Sequence, residues 1–123
     1  QRLEPLGSMF NVGFVLTTNE NYRIAFVAGT QLRDAEQFLS KVRPNLLIRQ
    51  FGVSPIETDA AFFEQVGAQV ILPTHHEGLL FAHKDVQGTV DTLNRQLAAR
   101  DCHARVFYPE RYKWYTVCTG ICG

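Results

Sequence analysis

An α/β fold built on a mixed sheet is predicted by three observations. The first 20 residues after Ser8 alternate apolar and polar side chains in two runs joined by a turn. Three later stretches switch to a helical period. Between those helical stretches lie short apolar runs bounded by proline or glycine. A β-hairpin followed by α-β-α-β-α-β requires crossover connections, and crossovers between strands of one sheet make those strands parallel.

The elements follow in order. Phe10, Val12, Phe14 and Leu16 recur at a period of two, the signature of a strand. Thr18-Asn19-Glu20-Asn21 is a run of turn formers, and Tyr22, Ile24 and Phe26 then resume the alternation, so 9–28 reads as a hairpin. Leu32, Ala35, Leu39 and Val42 fall at helical spacing, with Pro44 beyond the end. Leu46-Leu47-Ile48 forms the centre of a buried strand over 45–51. Ser54 and Pro55 suit the N-cap and first turn of a second helix, and Glu57 completes a capping box. Ala60, Phe63 and Val66 give that helix its inner stripe, and Gly67 suits its end. Val70-Ile71-Leu72 is a second buried strand, running into Pro73-Thr74-His75-His76-Glu77-Gly78. A third helix, 85–100, carries Val86, Val90, Leu93 and Leu97 on one face, with Gly88 a mild weak point. Residues 104–108 form a strand, and 113–117 are assigned a further one.

Composition narrows the function classes. The chain has 123 residues, 46% of them apolar, and no low-complexity tract, so one domain is expected. Twelve basic residues balance twelve acidic ones, which leaves no electrostatic footprint for nucleic acid. No apolar run approaches the roughly 20 residues needed to span a bilayer. Residues 1–8 have no amphipathic period, and Gly7-Ser8 before Met9 has the form of a cloning scar. The expectation is a tail of eight residues followed by a single domain over 9–123, with no signal peptide. Three cysteines are an odd count in a chain with enough apolar residues to fold unaided, so a reducing cytoplasmic setting is expected. Cys118 and Cys122 form half of a zinc site, a redox pair or two unrelated thiols near a terminus, the last being the plainer reading.

The His75-His76-Glu77 group is the main chemical hint, because it follows a strand, and ligands gather at the carboxyl ends of parallel strands. Adjacent histidines on an extended segment point to opposite faces, so one metal ion cannot take both without a turn. The alternative role for His75 is to cap a hydrogen-bond network. His83 lies beyond an apolar stretch, which suggests a loop packed on the core. Cys102-His103 reads as a loop pair between helix and strand, and Asp59, Asp85 and Asp91 as solvated or helix-dipole residues. Tyr108, Tyr112, Trp114 and Tyr115, interleaved with Arg111 and Lys113, either close a core edge or offer a stacking surface.

Residues 10–115 resemble the C-terminal half of metallo-β-lactamase-fold hydrolases. The resemblance rests on the hairpin ending in Ala28-Gly29-Thr30 and on the passage from Ala61 to His76, which runs from a helix through Val70-Ile71-Leu72-Pro73-Thr74 to the histidines. In that family the hairpin ends in Gly-Asp-Thr, whose aspartate bridges two metals, and the later strand ends in the last histidine ligand. The resemblance therefore implies half of an αββα sandwich, with Thr30, His75, His76 and Glu77 around a ligand site and His75 as the surviving metal ligand. Two departures weigh against catalysis. The His-x-His-x-Asp-His cluster of the family's N-terminal half is absent, and Gly29 stands where the bridging aspartate would be. Hydrolytic zinc needs about three protein ligands, and one histidine does not supply them.

The expectation is thus a non-catalytic, truncated domain without a cofactor. The alternative is a zinc or manganese hydrolase, of lactonase or phosphodiesterase type, completed by another chain. A sheet with helices on one side leaves an apolar face that something must cover. A homodimer or a complementary N-terminal half-domain chain is the expected partner, with neither nucleic acid nor membrane involved.

Overall fold

The computed structural model describes residues 13–27, 32–51, 54–74 and 85–117. Within them the chain is α/β. Strands β1 (Phe14–Thr17) and β2 (Arg23–Val27) are followed by helix α1 (Leu32–Val42), strand β3 (Leu46–Gln50), helix α2 (Ile56–Val66), strand β4 (Val70–Thr74), helix α3 (Val86–Ala99) and strand β5 (Arg105–Val106). The five strands form one mixed sheet in the order β1-β2-β3-β4-β5, with β1 antiparallel to β2 and the remaining pairs parallel. The element order and the α/β class agree with the sequence-based expectation.

The hairpin turn closes as its residues dictate. Thr18 donates its backbone N–H to the Tyr22 carbonyl at 2.9 Å, its hydroxyl accepts the Tyr22 N–H at 3.0 Å, and Asn21 takes the left-handed φ of 63°. At the end of α1, Arg43 sits at φ 53° and donates to the Leu39 carbonyl. The Arg23 guanidinium then donates to the exposed Arg43 carbonyl through Nε at 3.1 Å and Nη2 at 2.8 Å, placing a cation at the negative end of the helix. Asn45 ties the amino ends of three strands together. Its Oδ1 accepts the Arg23 N–H at 2.8 Å, and its carbonyl accepts the N–H groups of Gln69 and Val70.

Because the strand order never reverses, right-handed crossovers carry all three helices to one face of the sheet. The core lies there. Ala25, Val27, Leu47, Ile71 and Val106 from the strands meet Leu39 of α1, Ala60, Phe62, Phe63 and Val66 of α2, and Val90, Leu93 and Leu97 of α3. The stripes expected of α2 and α3 are therefore the buried ones, with Phe62 added.

Three local expectations are corrected. Helix α2 has Pro55, not Ser54, at its N-cap, and no side chain caps it; the first helical bond runs from the Asp59 N–H to the Pro55 carbonyl. Pro55 keeps an extended ψ of 150°, so the helix starts at Ile56, and proline offers neither a side-chain acceptor nor an N–H for a capping box. Residues 113–117 form no strand beyond an isolated bridge at Val117; a turn at Arg111-Tyr112, with Tyr112 at φ 60°, breaks the extension. The strand expected over 104–108 is reduced to Arg105–Val106, with Arg105 and Phe107 donating to β4 and the Val106 groups on the outer edge bound by Asn94, as described below.

Candidate functional site

The register places Val27, Arg49 and Pro73 side by side near the carboxyl ends of β2, β3 and β4. Val27 is followed in sequence by Ala28-Gly29-Thr30, and Thr74 by His75-His76-Glu77. Thr30, His75, His76, Glu77 and His83 lie outside the described residues, as do Gly29, Cys118 and Cys122. The strands that lead into the two expected site segments are thus separated by β3 alone, and both segments follow carboxyl ends of the same parallel set.

Two charged side chains are buried among the described residues. Arg49 is 1% exposed and Asp59, in the first turn of α2, is 3% exposed. The Arg49 guanidinium lies 5.7 Å from the centre of the Phe62 ring and donates from Nη1 to the Gln50 carbonyl at 2.8 Å. The Asp59 Oδ1 is buried without a hydrogen-bond partner. Burial pushes the Asp59 carboxyl up to about 6, against the opposing field of Arg49. Burial likewise lowers Arg49 from its usual value, while Asp59 acts to raise it.

This corrects the reading of Asp59 as a solvated residue. The signal was present in the sequence: Asp59 stands three and four residues before Phe62 and Phe63, on the inner stripe of the helix. Arg49 falls in phase with Leu47 and Phe51, the inward positions of β3. An arginine on the buried phase of a strand calls for a counter-charge, and the field of Asp59 acts in that direction. Asp85 and Asp91 are exposed, as expected, and Asp91 accepts the Gln87 side-chain amide at 2.9 Å.

The other candidate groups do not converge. Cys102, unpaired and partly buried, packs against the core between α3 and β5, while neighbouring His103 is exposed. A cleft of about 410 Å³ beside β5 includes Gln87, Asn94, His103, Arg105 and Tyr108 in its lining. The Asn94 amide is already committed: Nδ2 donates to the Val106 carbonyl at 2.9 Å, and Oδ1 accepts the Val106 N–H at 2.8 Å. Of the aromatic end, Tyr115 packs edge-on against Phe107 with ring centres 5.0 Å apart, and Tyr108 packs against the core. Tyr112 and Trp114 are fully exposed. Among the described residues, no group of three or more His, Cys, Asp or Glu side chains is placed to hold a metal ion. Among them, too, no helix is long and apolar enough to cross a membrane.

The second face of the sheet carries the strongest surface feature. Phe14, Phe26, Ile48 and Leu72 form one lateral row, and Leu16, Ile24, Leu46 and Val70 form the next. All eight side chains are apolar. Leu46 and Val70 are buried, four others are half-buried, and Phe14 and Leu16 at the β1 edge are 62% and 56% exposed. None of these eight belongs to the core cluster under the helices. No protein-family model matches this chain, and no curated protein is significantly similar to it.

Proposed function

We propose that this chain is a non-catalytic half-domain, related to the metallo-β-lactamase fold, that associates with a second copy of itself through the apolar face of its sheet. The observation that supports this reading is the eight-residue apolar lattice opposite the helices. Such a surface, at about 25 cal/mol per Å² removed from water, favours burial against a like surface. The eight side chains carry no charge; the Leu16 row meets its first charge at Arg105 of β5, exposed at the far edge of the sheet. A two-fold axis lying parallel to the face, in the plane between the two sheets, would set each lattice on its own image and rebuild a double layer of sheets between two layers of helices.

In this reading the segments bearing Thr30, His75, His76 and Glu77 serve as a ligand or partner site at the strand ends. The free thiol of Cys102 suits a reducing, cytoplasmic setting. Sedimentation velocity at micromolar concentration tests the association. The expected result is a particle of twice the chain mass, converted to a monomer by Phe14→Lys with Leu16→Lys. A wild-type monomer would overturn it and leave a complementary half-domain chain as the occupant. Metal analysis tests the non-catalytic part. Stoichiometric zinc or manganese, lost on His75→Ala, would replace it with a hydrolase completed by another chain.

A further inference from the structure

The apolar face of the sheet differs between its two ends, and the difference bears on how a second copy lies on it. We propose that the two-fold axis of the self-association runs along the strands, so that β1 of each copy covers the β5 end of its partner. This rests on the self-association proposed above and adds to it the direction of the axis.

The β1 end is bare and apolar. Phe14 and Leu16 are largely exposed there, while Val15 between them packs against the core. The β5 end is built up. The Phe107 N–H donates to the Ile71 carbonyl at 2.9 Å, which continues the β4–β5 register and sets Phe107 beside Leu72, at the far end of the Phe14 row. Tyr115 packs edge-on against Phe107, and its hydroxyl accepts the Glu110 N–H at 3.2 Å, which ties 107–115 into one aromatic turn. Tyr112 and Trp114 on that turn are fully exposed. Of the large apolar side chains exposed among the described residues, only Phe38 of α1 lies away from these two ends. A bare end and a built-up end complement each other, whereas two built-up ends would hold each other apart.

Charge follows the same division. Arg105 ends the Leu16 row and is exposed, with exposed His103 two residues before it. As the first residue of β5, Arg105 lies at the amino end of the parallel strands. Strand β1 runs antiparallel to β2, so the hairpin turn with exposed Glu20 lies at that same end, on the opposite edge. Among the described residues, neither Arg105 nor Glu20 is in a salt bridge. A two-fold axis along the strands keeps amino end with amino end and exchanges the edges. Glu20 of each copy then comes to the side of the sandwich that carries the partner's Arg105, and Phe14 comes over the partner's Phe107. An axis across the strands would keep each edge over itself. Both Arg105 cations would then share one rim, both Glu20 carboxylates the other, and the two aromatic turns would meet. Opposite charge favours the first arrangement, and like charge disfavours the second.

Thiol cross-linking on the full chain reads the axis. Cys102, Cys118 and Cys122 are replaced by alanine, and two pools carry either Leu16→Cys or Arg105→Cys. Face-packed sheets lie about 10 Å apart, so a bis-maleimide with a spacer of about that length joins cysteines that face each other. The expected result is a cross-linked dimer when the pools are mixed and none from the Leu16→Cys pool alone. A cross-link within the Leu16→Cys pool would overturn the axis and leave self-association in place. A dimer by sedimentation velocity that cross-links in neither case would overturn the axis as well. A wild-type monomer would remove both the axis and the self-association beneath it. If the cysteine variants do not dimerise, charge exchange decides instead. Glu20→Lys and Arg105→Glu should each weaken dimerisation several-fold, and the two together should restore the wild-type dissociation constant to within about twofold. Losses that add, or no loss at all, overturn the proposal.

Discussion

Single residues in this chain act at junctions. Arg49 and Asp59 are both buried, and burial raises the Asp59 carboxyl against the field of Arg49. Replacing Arg49 with methionine keeps an apolar stem against Phe62 and removes the field that pulls the Asp59 carboxyl down. The Asp59 midpoint should then rise further above 6, as read by carboxyl NMR. Without that field an ionised Asp59 is costlier to bury than a protonated one. Denaturant melts of Arg49→Met should therefore show the larger loss at pH 8 and a smaller one at pH 5. A loss independent of pH would mean that packing, not charge, is what Arg49 contributes. Asn94 acts at a different junction, holding both backbone groups of Val106 from α3. Asn94→Ala should cost about 1 to 3 kcal/mol by leaving those partly buried groups without their partner. It should also raise the aggregation rate measured by light scattering, because the amide occupies the hydrogen-bonding groups of a sheet-edge strand.

At the scale of elements, periodicity carried most of the information. Helix α3 buries Val86, Val90, Leu93 and Leu97, the four positions that the spacing selects, and the strand expected over 45–51 lies within a residue of those bounds. What the pattern missed follows from what a period cannot encode. The start of α2 depended on whether Ser54 or Pro55 occupies the cap, a choice of one residue that apolar spacing does not register. The bonds that cover the outer edge of β5 come from Asn94, twelve residues away, and no period records them. Nor does a period say which charges are buried together, so the phase of Arg49 on β3 had to be read against the phase of Asp59 on α2. The α2 C-terminus was legible because its chemistry is local: Gly67 adopts φ 72° and donates its N–H to the Phe63 carbonyl. A Cβ there would meet no neighbour within 4 Å, so the backbone alone sets the cost of Gly67→Ala. That cost should be about 1 kcal/mol, measured by urea denaturation with an unchanged m-value. A neutral or stabilising result would contradict the left-handed cap.

For the whole molecule, the central fact is the asymmetry of its sheet. One face is covered by three helices and holds the core, while the other presents two apolar rows whose β1 end is open. The sequence resemblance anticipated this imbalance through the half-sandwich it implies. The registers give it substance, since they put Phe14, Phe26, Ile48 and Leu72 in one line and Leu16, Ile24, Leu46 and Val70 in the next. If a second copy covers that face, folding and association are coupled, and stability must depend on concentration. The apparent folding free energy of a coupled dimer rises by roughly 1.4 kcal/mol for each tenfold increase in protein, which moves Tm upward by several degrees for a chain of this size. Scanning calorimetry at two concentrations a hundredfold apart should show that shift. Phe14→Lys with Leu16→Lys should remove it, because two ammonium groups at the exposed end of the face cannot be buried against their symmetry mates without pairing. The positions are exposed in the single chain, so the same variant should retain its far-UV circular dichroism. A wild-type Tm that does not move with concentration would show that one chain folds without this partner, and self-association would then not be what the apolar face is for.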